Sequence, residues 1–415
     1  MPTTPMLERR QFLAGLGALV ASPAWARTGD RWPGVQKLLD RYVAEKKVAG
    51  LSVALTSADA PLAYANAGAL ALDSAVAANE DTLWRIYSMT KPVTGAAAAL
   101  LIEEGKLALD QPVSDFFPAY ARIGVAVDPA TSLDARPAKA PITIRHLLTH
   151  TAGLTYTIMG TGAVQKAYRE KGLFGAYGGQ PQPGDGAMPA SLTAFAEQLA
   201  TVPLIAEPGT GYHYSVALDL LGAVIEKASG VPFDAFLRSR FFEPLGMTST
   251  AFHALDPKRL STNYFITPKG LLPVDSAAKG VFLSPPAVAY GGSGLVSSSR
   301  DYARFGMMLL GDGALGTARV LKPATARMMR SNLLPAGVTA MGDGSGYGAG
   351  GRVVIPTTQG ASDSVGSYGW GGAAGTSFWI DPARRTMVTV MTQFMPQDAY
   401  PLRREVRDAM AADAG

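Results

Sequence analysis

Between Trp32 and Val48 the apolar positions Val35, Leu38, Leu39, Tyr42 and Val43 recur at helical spacing with charged residues between them, which predicts an amphipathic helix with one buried face. Two short apolar runs follow, Leu51 to Thr56 and Leu62 to Ala69. They flank Ser57-Ala58-Asp59-Ala60-Pro61 and read as a β-hairpin. Lys91 to Glu104 is Ala-rich and strongly helical, closed by Gly105 just past its end. The stretch 112–285 holds most of the prolines, a Gly-rich segment from Gly172 to Gly186, and two helical patterns, Leu192 to Ala200 and Ala217 to Ser229. From Gly346 the pattern returns to strands: Tyr347 to Ile355, Ser367 to Ala373, Thr376 to Ile380 and Thr386 to Phe394, with a turn at Asp381-Pro382-Ala383-Arg384-Arg385. A last amphipathic helix is expected from Leu402 to Ala412. Strands at both ends with helices outside them predict an α+β protein. Residues 27–111 and 286–415 would form one antiparallel sheet flanked by the terminal helices, and 112–285 a mainly helical insertion. No internal repeat or low-complexity tract interrupts this plan.

Composition narrows the chemistry. A chain of 415 residues with 47% hydrophobic and 17% charged residues is too apolar for disorder and has ample material for a core. Zero cysteines exclude disulfides, thiol nucleophiles and thiolate metal sites, so any nucleophile is oxygen or nitrogen. The net charge of +4 is spread without basic runs and gives no support for a nucleic-acid partner. At the amino end, Glu8-Arg9-Arg10-Gln11-Phe12-Leu13 precedes an apolar stretch from Leu13 to Ala21, and Ala24-Trp25-Ala26 supplies small residues at the cleavage-determining positions. Residues 1–26 therefore read as a signal peptide of twin-arginine type, which implies a bacterial periplasmic or secreted protein. The apolar run is shorter than the ~20 residues a spanning helix needs. No later run is uniformly apolar over that length, so no stable membrane association is expected after cleavage.

The candidate chemistry begins at Ser88-Met89-Thr90-Lys91, a Ser-x-x-Lys element where the apolar helix starts. Serine and lysine three apart share a helix face with Cβ atoms ~5–6 Å apart, and the helix amino end favours a developing anion on Ser88. A lysine base must be neutral, which requires burial or a neighbouring cation. Pro92 fits the first turn of the same helix. The pattern alone is weak, since Ser276-Ala277-Ala278-Lys279 also matches it, between Pro273 and Gly280 with no helix following. That copy reads as a loop.

Two further segments add weight. Glu207-Pro208-Gly209-Thr210-Gly211-Tyr212-His213-Tyr214-Ser215-Val216 leads into a helix, and Gly369-Trp370-Gly371-Gly372-Ala373-Ala374-Gly375 lies between two late strands. In this order with Ser88 and Lys91, they resemble the serine β-lactamase and penicillin-binding protein superfamily, its class C branch and the family VIII carboxylesterases above all. Arg145-His146-Leu147-Leu148-Thr149-His150-Thr151-Ala152-Gly153-Leu154 and Gly291-Gly292-Ser293-Gly294-Leu295-Val296-Ser297-Ser298 resemble accessory motifs of the same proteins. The resemblance spans nearly all of the mature chain and implies a β-lactamase/transpeptidase-like fold with the site between sheet and helices. It further implies Ser88 as nucleophile, Lys91 as its activating partner and Tyr214 as a proton carrier, with either of the last two as general base. The backbone N–H groups of Ser88 and Ala373 would form the oxyanion hole, and Trp370, Gly371, Gly372 and Val216 would contact substrate.

The departures set the substrate. Tyr214-Ser215-Val216 stands where lactam-active relatives carry Tyr-x-Asn, and Trp370-Gly371-Gly372 where they carry a cationic triplet. Val216 cannot hydrogen-bond an amide, and Trp370 offers no cation to a carboxylate. Both point to neutral, apolar acyl groups, and the resemblance to the esterase branch implies short-chain carboxylic esters cleaved through an acyl-enzyme, with no cofactor. A β-lactamase or D-Ala-D-Ala carboxypeptidase is the alternative, as is a transesterase using the same residues. A penicillin-sensing or cell-wall-binding module without turnover is the non-enzyme alternative. Tyr64-Ala65-Asn66 spells Tyr-x-Asn but precedes Ser88 in the hairpin and is discounted. His146 and His150, four apart, lack a glutamate between them and a third ligand, and read as structural. Gly311-Asp312-Gly313-Ala314-Leu315-Gly316 follows a helix instead of a strand and reads as a helix-ending turn. No Gly-x-Ser-x-Gly is present, and all four histidines precede the final strands, which disfavours an α/β-hydrolase.

Overall fold

The computed structural model describes residues 31–58, 60–175, 183–357 and 363–414. Residues 1–26, expected to be a signal peptide, and the middle of the Gly-rich stretch lie outside the described residues. The chain's two ends together build one seven-stranded antiparallel sheet. Its strands are β1 (Gly50–Ser57), β2 (Ala60–Gly68), β3 (Ser345–Tyr347), β4 (Arg352–Val354), β5 (Tyr368–Gly371), β6 (Ser377–Asp381) and β7 (Thr386–Thr392), in the order β3-β4-β5-β6-β7-β1-β2. Leu51 lies opposite Thr392 and Thr56 opposite Met387, so the first strand is completed by the last long one. Strands β1 and β7 are buried along nearly their whole length, because helices cover both faces.

Alternation along the strands divides the side chains between the two faces. Outward, Val53, Leu55, Trp379, Val388 and Val390 pack with α1 (Pro33–Ala44) and the carboxy-terminal helix Leu402–Ala414. Inward, Ala54, Tyr368, Phe378, Ile380, Met387 and Met391 meet α2 (Thr90–Glu103) and the other helices. Helix α2 is apolar on all sides because it is packed on all sides, and Ala96 to Ala99 are fully buried. It is followed on its far side by α3 (Ala217–Ser229), whose buried face shares the same core.

Three expectations change in detail. The single strand expected from Tyr347 to Ile355 is a hairpin, β3 and β4, closed where the Gly348 N–H donates to Gly351 O at 2.8 Å. Its glycine-rich tip packs against α2, where a Cβ on Gly350 would lie 2.3 Å from the Lys91 carbonyl and one on Gly95 2.3 Å from that of Ala349. A side chain at the tip would push Lys91 out of place. The strand expected through Phe394 ends at Thr392, because the Gln393 amide turns inward to accept from Arg85 N at 3.3 Å and donate to Arg85 O at 3.0 Å. Phe394–Met395 then pairs in parallel with Asn263–Thr267. The 112–285 stretch is helical at Ile144–Leu148, Ala163–Glu170, Leu192–Leu199 and α3, but it also carries the antiparallel pair Asn263–Thr267 and Gly270–Asp275.

Candidate active site

Arg85 anchors the segment that carries Ser88. Its guanidinium is fully buried, grips Asp275 with Nε at 2.7 Å and Nη2 at 2.9 Å, and donates from Nη1 to the Ser261 carbonyl at 2.6 Å. Two residues on, buried Tyr87 holds φ at 41°, a left-handed conformation that a bulky residue adopts only when its surroundings enforce it. The Asn263 Nδ2 bond to the Tyr87 hydroxyl at 3.1 Å and the Phe282 ring at 6.0 Å supply that enforcement. The chain then makes a single 3₁₀ turn, Tyr87–Met89, and enters α2.

Ser88 Oγ sits at the convergence of two donors, Lys91 Nζ at 3.1 Å and the Tyr214 hydroxyl at 2.7 Å. Lys91 is fully buried, also donates to the Gly292 carbonyl at 2.7 Å, and places Nζ 4.6 Å from the centre of the Tyr214 ring. The Gly291 to Leu295 segment is tied to α2 by threonines, with Thr94 Oγ1 donating to Gly291 O at 2.7 Å and Thr90 Oγ1 accepting from Leu295 N at 3.1 Å. The N–H of Gly292 is held by Asp219, whose Oδ1 accepts it at 2.7 Å. Asp219 is fully buried in α3, and burial pushes its carboxyl up to about 6 against the pull of the Lys91 charge. Tyr156 donates to its other oxygen at 3.4 Å, and burial drives that phenol well above its ordinary range.

Tyr214 is fixed from behind by His150. The His150 carbonyl accepts from His213 N at 2.8 Å, its Nδ1 accepts from Ser215 N at 3.2 Å, and its ring lies 4.7 Å from that of Tyr214. Burial, aided by the Lys91 charge, lowers the His150 pKa well below the ordinary value, so the ring is neutral. With Nδ1 accepting, the ring proton sits on Nε2. His146 does something different: it closes the amino end of Ile144–Leu148, its Nδ1 accepting from Thr143 N at 3.2 Å. The two histidines therefore serve two local structures.

Ser88, Tyr214, Trp370, Gly371 and Ala373 border one cavity of about 920 Å³. Trp370 is part-exposed, with its ring 5.7 Å from Tyr214 and 5.2 Å from Tyr347, and it forms a wall. Gly372 stands behind that wall, where a Cβ would lie 2.3 Å from the Ile86 carbonyl, so only glycine lets β5 close on the Ser88 turn. Val216 does not border the cavity: it is fully buried and precedes the first turn of α3. The apolar side chain there serves packing, which explains why no amide donor stands in its place. Sequence reasoning missed Asp219, Tyr156 and the role of His150. A lone carboxylate inside the apolar run Ala217-Leu218-Asp219-Leu220-Leu221 was the available signal for the first. Ser276 and Lys279 occupy a turn after Gly270–Asp275, with Ser276 Oγ accepting from Ala278 N and Lys279 N. Gly311 ends the helix Ser299–Leu310, as its turn reading required.

A family model described as beta-lactamase matches residues 35–411. The chain belongs to the beta-lactamase family. It is a serine hydrolase of that family, with an antiparallel sheet and flanking helices of the same kind. Within the family it is similar to Esterase EstB of Burkholderia gladioli, 30% identical over 399 residues that cover 90% of this chain and 94% of the esterase. Protein Rv1367c of Mycobacterium tuberculosis is 34% identical over 363 residues, covering 83% and 84% of the two chains. Among solved structures, EstCE1, described as a hydrolase with promiscuous acyltransferase activity, superposes with a TM-score of 0.77. It is 27% identical and covers 91% of this chain and 97% of its own. Among the described residues no helix is long and apolar enough to cross a membrane.

Proposed function

We propose that the protein hydrolyses short-chain carboxylic esters through an acyl-enzyme on Ser88. The observation that carries this reading is the meeting of Lys91 Nζ and the Tyr214 hydroxyl on Ser88 Oγ, at 3.1 and 2.7 Å, on the wall of an open cavity. Ser88 Oγ attacks the ester carbonyl while its proton passes to Lys91 or Tyr214. The N–H groups of Ser88 and Ala373 take the charge that develops on the carbonyl oxygen, and the Tyr214 hydroxyl returns a proton to the departing alkoxide. Water then enters, gives up a proton to the same pair, and releases the acid.

The neutral wall formed by Trp370 favours an apolar acyl group next to Ser88 over a lactam carboxylate. EstB and EstCE1 support the ester reading. EstCE1 also favours a second reading from the same intermediate, capture of the acyl group by an alcohol in place of water. Rates with p-nitrophenyl acetate, butyrate and octanoate, set against a chromogenic cephalosporin and with Ser88→Ala as control, test the proposal. Ester turnover abolished in Ser88→Ala is the expected result; fast cephalosporin turnover with negligible ester cleavage sinks it. Added short alcohols divert product to the transesterified ester if the second reading holds. The Arg9-Arg10 segment supports export to the periplasm, which fractionation of cells expressing an Arg9→Lys, Arg10→Lys double variant tests.

A further inference from the structure

On β5, Tyr368 and Trp370 face the inner core, so Gly369 and Gly371 present bare backbone to the opposite face. Arg352 of β4 and Trp379 of β6 both lie opposite Gly369 in register, and therefore project on that opposite face with no side chain between them. Two guanidinium groups from the carboxy-terminal helix complete the arrangement, Arg403 and Arg407, whose central carbons lie 5.3 and 5.6 Å from the Trp379 ring. These three arginines border the same cavity as Ser88.

The charges do not balance. Asp363 pairs with Arg407 at 2.9 Å, and among the described residues Arg352 Nε donates to the neutral hydroxyl of Ser345 at 2.8 Å and forms no ion pair. Among the described residues, Arg403 Nε is buried without a hydrogen-bond partner and no carboxylate forms an ion pair with Arg403. Asp398 borders the cavity but is exposed, and Arg404, also exposed, stands with it. Burial, and then the charge of Arg407, push the Arg403 guanidinium down to about 10, with Asp363 pulling the other way. It stays charged at neutral pH. A part-buried cation with an unmet donor, next to a second cation whose partner is neutral, is a site for an anion.

We infer that Arg403 and Arg352 form a carboxylate subsite behind β5, which takes the far end of an ester substrate whose scissile carbonyl lies at Ser88. This rests on the ester reading and makes it narrower: the acyl group is apolar beside Trp370 and acidic at its end. Gly371 leaves the passage open, since a Cβ there would meet only Thr376 O at 3.4 Å and Gln397 Oε1 at 3.9 Å.

The test uses p-nitrophenyl monoesters of straight-chain dicarboxylic acids from five to ten carbons, each against the neutral p-nitrophenyl alkanoate of equal carbon number. For one or two spacer lengths the acid ester has the higher kcat/KM, on the order of tenfold and through KM, and Arg403→Met or Arg352→Gln abolishes that ratio while Arg403→Lys retains part of it. In parallel, calorimetry follows binding of the free dicarboxylates to Ser88→Ala, which needs no turnover and is repeated with Arg403→Met added. Binding that depends on Arg403 without any ester turnover upholds the subsite and overturns the ester reading. Neutral esters preferred at every length, with dicarboxylate binding indifferent to Arg403, overturns the subsite and leaves the ester reading standing.

Discussion

The chain contains Ser-x-x-Lys twice, and the two copies come to opposite ends. Ser88 lies in a 3₁₀ turn that opens a buried helix, its oxygen within hydrogen-bond reach of Lys91 and Tyr214. Ser276 lies in a surface turn, its oxygen occupied by the N–H groups of Ala278 and Lys279, while Lys279 is exposed. Spacing is common to both; burial of the lysine and a third group on the serine belong only to the first. Yet the copies are not strangers. Asp275, next to Ser276, grips Arg85, three residues before Ser88, and a Cβ on Gly280 would sit 1.9 Å from that carboxylate. The second segment works as a buttress for the first. What distinguishes Ser88 from a turn serine here is the company that long-range packing supplies.

Substitutions in pairs test that contrast. Ser88→Ala is expected to lower ester kcat by about 10³-fold or more, whereas Ser276→Ala stays within about twofold. Equal losses in steady-state assays would erase the distinction. Lys91→Met is expected to cost about 10²–10⁴ in kcat/KM, the scale of a lost general base, with Lys279→Met near wild type. The buttress is tested by stability: Asp275→Ala leaves the fully buried Arg85 without its carboxylate and is expected to cost about 3–5 kcal/mol in urea unfolding. A cost near zero would show that the two segments are independent.

The smallest effect is a pH dependence confined to the first copy. Because the Asp219 carboxyl is raised from 3.8 to about 6 in the fold, its contribution to stability is present below pH ~4 and lost as pH rises through 6. Asp219→Asn does not ionise. Its stability relative to wild type should therefore improve between pH 4 and 8, by at most about 3 kcal/mol. A flat difference across that range would remove Asp219 from the titrating network.

Much of this was readable from local pattern. The apolar runs Leu51 to Thr56 and Leu62 to Ala69 around a turn marked the hairpin, and the Ala-rich run marked α2, because pattern and propensity are local properties. The order of Ser88, Lys91, Tyr214 and Trp370 marked the site. What stayed hidden depends on contacts between distant segments. The turn inside Tyr347 to Ile355 is fixed by packing of Gly350 on Lys91, and the break at Gln393 by bonds to Arg85. Val216 looked like a substrate contact from its place in the motif, but its side chain turns into the core. Asp219 and His150 do not themselves line the cavity; they act through Gly292, Tyr156 and the backbone around Tyr214, which no spacing in the chain records.

The pairing of β1 with β7 carries a consequence for how the enzyme comes into being. While the ribosome is still making residues before Thr386, β1 and β2 are a lone hairpin, which is marginal in water, and the long edge of β1 has no neighbour. Closing the sheet requires a contact across most of the chain's length, the slow kind in folding kinetics. Until synthesis is nearly over, the Ser88 turn also lacks the strand that will hold Ala373 beside it. The nascent chain therefore carries Ser88, the proposed nucleophile, for most of its synthesis without a finished site, and a product stopped short of the last strands is an aggregation hazard.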